Sequence, residues 1–164
     1  MPFTPIHMGP GILIKSLWQG GFSMTVFGWS QIVMDIQPLI VTITGEGHLH
    51  GFSHTYVGAT LLAVLAALSG KPMSEFGLAI LNKTRINVPT RISWRIAFVT
   101  AFVGAYSHVV IDSFMHLDMV PWYPISTSNA LLGVIGVGAL IKTCLYSGLI
   151  GTGIFTLMQA RNRK

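Results

Sequence analysis

Residues 96–115 read IAFVTAFVGAYSHVVIDSFM, and within them only His108 and Asp112 are readily ionised near neutral pH. About 20 residues suffice for a helix to cross the hydrocarbon core of a bilayer, so this stretch reads as a membrane span that carries two costly polar groups. The same reading extends outward. Residues 22–44 form a span interrupted by Asp35, residues 52–69 another, and residues 130–158 a last one long enough to tilt or break. The opening stretch from Pro5 to Trp18 is shorter and ends at Gln19-Gly20-Gly21. Its early prolines suit a first helical turn, and it lacks the basic leader and small-residue cleavage site of a signal peptide. A short or partly re-entrant helix is expected there. The expected fold is all-α: a polytopic membrane bundle of four long spans plus a short N-terminal helix, forming one domain over residues 1–164.

Composition agrees with that reading. Hydrophobic residues make up 51% of the chain and charged residues 9%, against about 25% charged in ordinary soluble domains. This excludes disorder and argues against a soluble enzyme. Cys144 is the sole cysteine and has no internal disulfide partner. Bases outnumber acids ten to five, yet they lie between apolar stretches and do not interleave with aromatics along a solvated face. No nucleic-acid partner is therefore expected.

The bases instead set an orientation. Lys71, Lys83, Arg85, Arg91 and Arg95 fall in a connection at 70–95, and Arg161, Arg163 and Lys164 in the tail, whereas 45–51 and 116–129 contain no base. Under the positive-inside rule, the 70–95 connection and the C-terminus are cytoplasmic and the N-terminus is outside. The connection itself reads as a short surface helix with a turn around Pro89. Lys142, inside the last span, reads as snorkelling toward the cytoplasmic interface. If the span breaks near Gly136-Val137-Gly138, it would instead approach Asp35 or an anionic substrate group.

On this topology every histidine and every acid except Glu75 can reach the outer half of the molecule. His108, Asp112 and His116 recur at i, i+4 and i+8 and share one helix face. His50 and His54 are also four apart, and two ligands one turn apart can grip one ion. Histidine with carboxylate suits zinc, with manganese or iron as alternatives, and the lack of thiolates argues against a cysteine-rich structural zinc site. The metal ligands expected are His7, Asp35, His50, His54, His108, Asp112 and His116. Glu46 and Asp118, in the outer loops, are candidates for a general base or for partners that orient the ligating histidines. The glycines of the last span read as close helix packing, since no phosphate-loop ending follows them.

Met1-Pro-Phe-Thr-Pro-Ile-His7, the Asp35 segment, His50-Gly-Phe-Ser-His54-Thr and Ser107-His-Val-Val-Ile-Asp-Ser-Phe-Met-His116 together resemble the bacterial membrane-bound metal-dependent hydrolases of the YdjM type. Those proteins are similar to the zinc-dependent phospholipase C and single-strand nuclease superfamily. The resemblance covers about residues 1–125. It implies a helical fold, metal held by His and Asp, and phosphoester hydrolysis. The chain departs from the family pattern at Met34-Asp35-Ile36-Gln37, where the family often has Pro-Asp-x-Asp, and at His50, where it often has Arg. The expected function is a metal-dependent hydrolase at the outer face of the bacterial inner membrane, acting on a lipid or lipid-linked phosphoester. The alternatives are a metal or proton transporter and a non-catalytic scaffold stapled by metal.

Overall fold

A computed structural model describes residues 5–84 and 89–162. The opening Met1-Pro-Phe-Thr, Arg85, Arg163 and Lys164, all used in the reading above, lie outside the described residues. The described residues are helical and contain no strand: α1 (Met8–Trp18), α2 (Met24–Thr44), α3 (Tyr56–Asn82), α4 (Trp94–Met115) and α5 (Val137–Asn162), with short 3-10 turns at Pro5–His7, Gln19–Gly21 and Phe52–His54. The four long helices α2–α5 are long and apolar enough to cross a membrane. The fold is therefore the expected bundle of four spans and a short N-terminal helix.

Burial is distributed as lipid demands. The large side chains Ile36, Ile40, Leu61, Leu65, Leu68 and Leu149 point outward, while small residues line the helix contacts. Ala59, Ala63, Ala66 and Ala67 of α3 are buried, as are Ala97, Ala101 and Ala105 of α4. Their spacing of three or four puts each set on one face, so the two backbones approach closely, as helices in lipid do when small residues meet. The α4 stripe then continues, on the same face, into His108 and Asp112. Alanine brings the helices together at one end, and the same seam carries ionisable groups at the other. In the half of the bundle away from these groups, Val26, Val33, Ala66, Ala67, Ala97 and Ala101 form an apolar core.

Helix α1 packs chiefly along α5, and α2 lies against both α3 and α4. Gly9 permits the first contact, because a methyl group there would overlap the backbone carbonyl of Cys144. Gly151 likewise sits on the backbone of Leu13. The glycines of α5 that face α1 thus serve packing. The chain reverses between consecutive packed helices, so α3 runs antiparallel to both α2 and α4. Lys71, Lys83, Arg91, Arg95 and Arg161 consequently fall toward one end of the bundle, and the loops 45–55 and 116–136 gather at the other.

Several boundaries differ from those read in the sequence. The span expected at 52–69 is a helix from Tyr56 to Asn82, so much of the expected 70–95 connection is continuous α3. Lys71 does not end it, because its ammonium pairs with Glu75 one turn on, at 2.9 Å. The other Glu75 contacts fasten the start of α4: its carboxylate accepts from Ile92 N at 2.8 Å. The last span does not break internally. It begins at Val137, after a turn in which Gly133 takes a left-handed φ of 72°. Lys142 lies exposed on α5, five residues past Val137 and so near the loop end. That fits neither an approach to Asp35 nor snorkelling toward the basic end, because the helix starts later than the expected 130.

Candidate metal centre

Four segments far apart in sequence meet where α2 and α4 approach the loop end. His7 precedes α1, Asp35 lies midway along α2, His54 immediately precedes the N-cap of α3, and His108 and Asp112 continue the α4 seam. All five side chains are buried. Asp112 is the hub. Its Oδ1 lies 3.2 Å from His7 Nε2 and its Oδ2 lies 3.2 Å from His108 Nε2 and 3.5 Å from His54 Nε2. Asp35 Oδ1 is 3.5 Å from His108 Nε2. The Nε2 atoms of His54 and His108 face each other at 3.3 Å.

Around this inner set lies a more open rim. His116 caps the C-terminus of α4, where extended backbone (φ −109°, ψ 127°) takes it off the helix face. It keeps 3.9 Å to Asp112 and stacks on the His50 ring at 4.0 Å between centroids. His50 is buried, whereas Asp118 is 46% exposed. Asp118 grips His50 twice, accepting from its backbone N at 3.2 Å and its Nδ1 at 2.8 Å. Burial would raise the Asp118 pKa, but the His50 hydrogen bond and charge outweigh it and hold the carboxyl below its ordinary range. Burial and the neighbouring His50 lower the pKa of His116, against the pull of Asp112. That leaves a neutral imidazole, the form a metal needs.

His50 and His54 meet, but not as one helical turn. Residues Phe52–His54 form a 3-10 turn, and α3 begins only after Thr55, whose hydroxyl accepts from Gly58 N at 2.9 Å. Gln37 holds this turn from α2, its Oε1 accepting from Ser53 N at 2.9 Å and its Nε2 donating to His48 O at 3.3 Å. On the far side, Tyr56 N donates to Pro121 O at 2.8 Å, tying the turn to the loop that carries Asp118.

The donor set fits a divalent cation. His7, Asp35, His50, His54, His108, Asp112, His116 and Asp118 supply four overlapping groups of three, in each of which the ligand atoms lie within 4.8 Å of one another. Among the described residues the buried His7 ring has no hydrogen-bond partner at either nitrogen, so its 3.2 Å approach to Asp112 lacks hydrogen-bond alignment. A buried polar atom without a partner is costly, and a cation held between His7 and Asp112 would satisfy it. Asp35 and Asp112 together also match the charge of one divalent ion in the inner set, given neutral imidazoles.

All seven ligands expected from the sequence are brought into these groups. Asp118 joins them both as a possible ligand and as the residue that orients His50. Glu46 is exposed in the loop after α2 and belongs to none of them. Gln31 and Gln37, which hold His108 and the His50–His54 turn, were not expected. Neither carries a charge, and their importance lies only in what they bond. No protein-family model, curated protein or solved structure matches the chain.

Proposed function

We propose that the chain is a membrane-embedded metal-dependent hydrolase that cleaves a lipid or lipid-linked phosphoester at the outer face of the bacterial inner membrane, with zinc as its metal. The observation that carries this reading is the convergence of buried imidazoles on Asp112 and Asp35. So many ionisable groups on apolar helices are expensive, and by default they mark a functional site. The chemistry supplied by a divalent ion in such a set is activation of water, whose pKa falls toward about 7, and neutralisation of charge on a phosphoryl oxygen.

The protein's own residues divide the remaining work. Asp35, His54, His108, Asp112 and His7 form the inner set. Asp118 fixes the ring of His50 so that Nε2 is its hydrogen-bond acceptor. Both Asp118 oxygens are engaged by His50, which favours an orienting role over that of a general base. His116 and Asp118 line the side open to solvent, where a proton can leave. Exposed Trp122 and Tyr123 lie at this end and Trp18 and Trp94 toward the other, as interfacial aromatics do. That supports a cluster whose rim opens toward the lipid headgroups and whose floor reaches inward to Asp35, midway along α2. The apolar core of Val26, Val33, Ala66, Ala67, Ala97 and Ala101 disfavours a transport path, which needs polar groups through the full depth.

Purified, zinc-loaded protein offered a panel of phospholipids and polyprenyl phosphoesters should hydrolyse at least one of them. Chelation should abolish the activity and added zinc restore it; loaded protein inert toward every phosphoester would refute the hydrolase reading. The orientation has its own test, with cysteines introduced singly at Ser128 and Lys83 in a Cys144→Ser background. A membrane-impermeant thiol reagent on intact cells should label position 128, and labelling of position 83 alone would reverse the topology.

A further inference from the structure

His108 sits at the bottom of the cluster, and its remote ring nitrogen does not face solvent. It faces Gln31, one turn before Asp35 on α2, with His108 Nδ1 and Gln31 Oε1 2.9 Å apart. The other end of the same amide is 3.0 Å from the backbone carbonyl of Gly104 on α4. That carbonyl can only accept a hydrogen bond, so the amide must turn its NH2 toward Gly104 and its oxygen toward His108. An amide oxygen can only accept in turn, which places the ring proton of neutral His108 on Nδ1. Its Nε2 is then left with a lone pair, aimed at Asp35, Asp112 and His54. Gln31 is buried, so solvent does not compete for either end of its amide. Close approach of the backbones makes it possible: a methyl group at position 104 would overlap Ser30 Oγ and come within 3.1 Å of Gln31 Nε2.

We infer that Gln31 is a positioning residue that, through the Gly104 carbonyl, locks His108 in the Nδ1–H tautomer and so presents Nε2 to a divalent metal. The inference rests on the metal-centre reading proposed above and adds a residue to it. Metal-ligating histidines usually donate their second ring N–H to a carboxylate, a carbonyl or water. Here a neutral amide, itself fixed by a backbone group, takes that part. It leaves the inner set with the two negative charges of Asp35 and Asp112, matched to one divalent ion.

The test has two independent readouts. Metal-free, 15N-histidine-labelled protein in detergent is taken to alkaline pH, so that His108 gives up the second proton that Asp35 and Asp112 favour on Nε2. The His108 nitrogen shifts then report which nitrogen carries the remaining proton. Wild type should show Nδ1–H. Gln31→Met, which fills similar space without an acceptor, should show a mixture or the opposite tautomer. Gln31→Glu keeps an acceptor facing His108 and should preserve Nδ1–H. In zinc or cobalt titrations, Gln31→Met should bind roughly 10- to 100-fold more weakly than wild type, with an altered cobalt absorption spectrum. Gln31→Glu should stay within about tenfold of wild type, on the low side of that same range. A purely structural role would lower thermal stability while leaving tautomer, spectrum and affinity unchanged, and that result in Gln31→Met would overturn the inference. So would an Nε2–H tautomer in wild type, a measurement that stands even if a variant does not fold. Wild-type protein that binds no metal yet shows the Nδ1–H tautomer would refute the metal reading and the metal-presenting role of Gln31 with it, while leaving the Gln31–His108 lock in place.

Discussion

The Asp112→Ala protein is expected to keep its helices and lose its metal. Both carboxylate oxygens of Asp112 are committed, Oδ1 toward His7 and His116 and Oδ2 toward His54 and His108. Asp112 thus faces four imidazoles, so its removal leaves nitrogens converging on an empty carboxylate position. Residues around one ion fail together and not additively. The loss of affinity should exceed the roughly 10- to 100-fold typical of outer-shell partners. Stabilisation by metal should vanish with it. At free metal about 100 times Kd, wild type gains about 2.7 kcal/mol on binding, and the variant should gain none. Lys142→Met is the control, because Lys142 lies exposed on α5 and should leave metal content unchanged. Full occupancy in Asp112→Ala would show that Asp112 is not the hub.

The second large effect belongs to the α3–α4 seam. Ala105→Leu adds three carbons at a fully buried position beside Ala59, Ala63 and Val109, one turn before His108. The seam depends on small side chains, so α4 must move away from α3. Overpacking of this kind typically costs about 1–3 kcal/mol, and displacement of His108 should weaken metal binding as well. Leu65→Ala makes the opposite change on the outer surface, where Leu65 is 52% exposed, and lipid fills the space it leaves. Its cost should stay within about 0.5 kcal/mol, the usual scale for surface substitutions. Thermal unfolding in the same detergent compares the two directly. Equal tolerance of both changes would mean that the small-residue face of α4 is not a tightly packed seam.

Much of the site was legible because ionisable groups are so rare in this chain. His108 and Asp112 announce one helix face by spacing alone, and Asp35 stands out as the lone acid of its span. His116 shares the spacing but not the face, since α4 ends at Met115 and the backbone turns away. The pair His50 and His54 was read as one helical turn, yet it is brought together by a 3-10 turn that the Thr55 cap separates from α3. The extension of α3 past Lys71 is hidden because Gly70, Lys71 and Pro72 resemble a helix end. The contacts that hold it, Lys71 with Glu75 and Trp94 and Glu75 with Ile92 N, are tertiary or side-chain pairings that spacing alone does not reveal. Glu46 was favoured for its charge and its place in an outer loop, but nearness in sequence to His48 and His50 does not bring it to the cluster. Gln31 and Gln37 escaped notice for the opposite reason. A neutral amide in a helix gives no sign of its role until its two ends are seen to bond different elements.

Metal content of the wild-type protein tests the central claim most directly. Protein purified in detergent without chelator, loaded with zinc and freed of excess by gel filtration, should retain at least one equivalent of zinc per chain by elemental analysis. Protein that emerges with no bound zinc, and equally none after loading with manganese or iron, would contradict a metal centre built on Asp112.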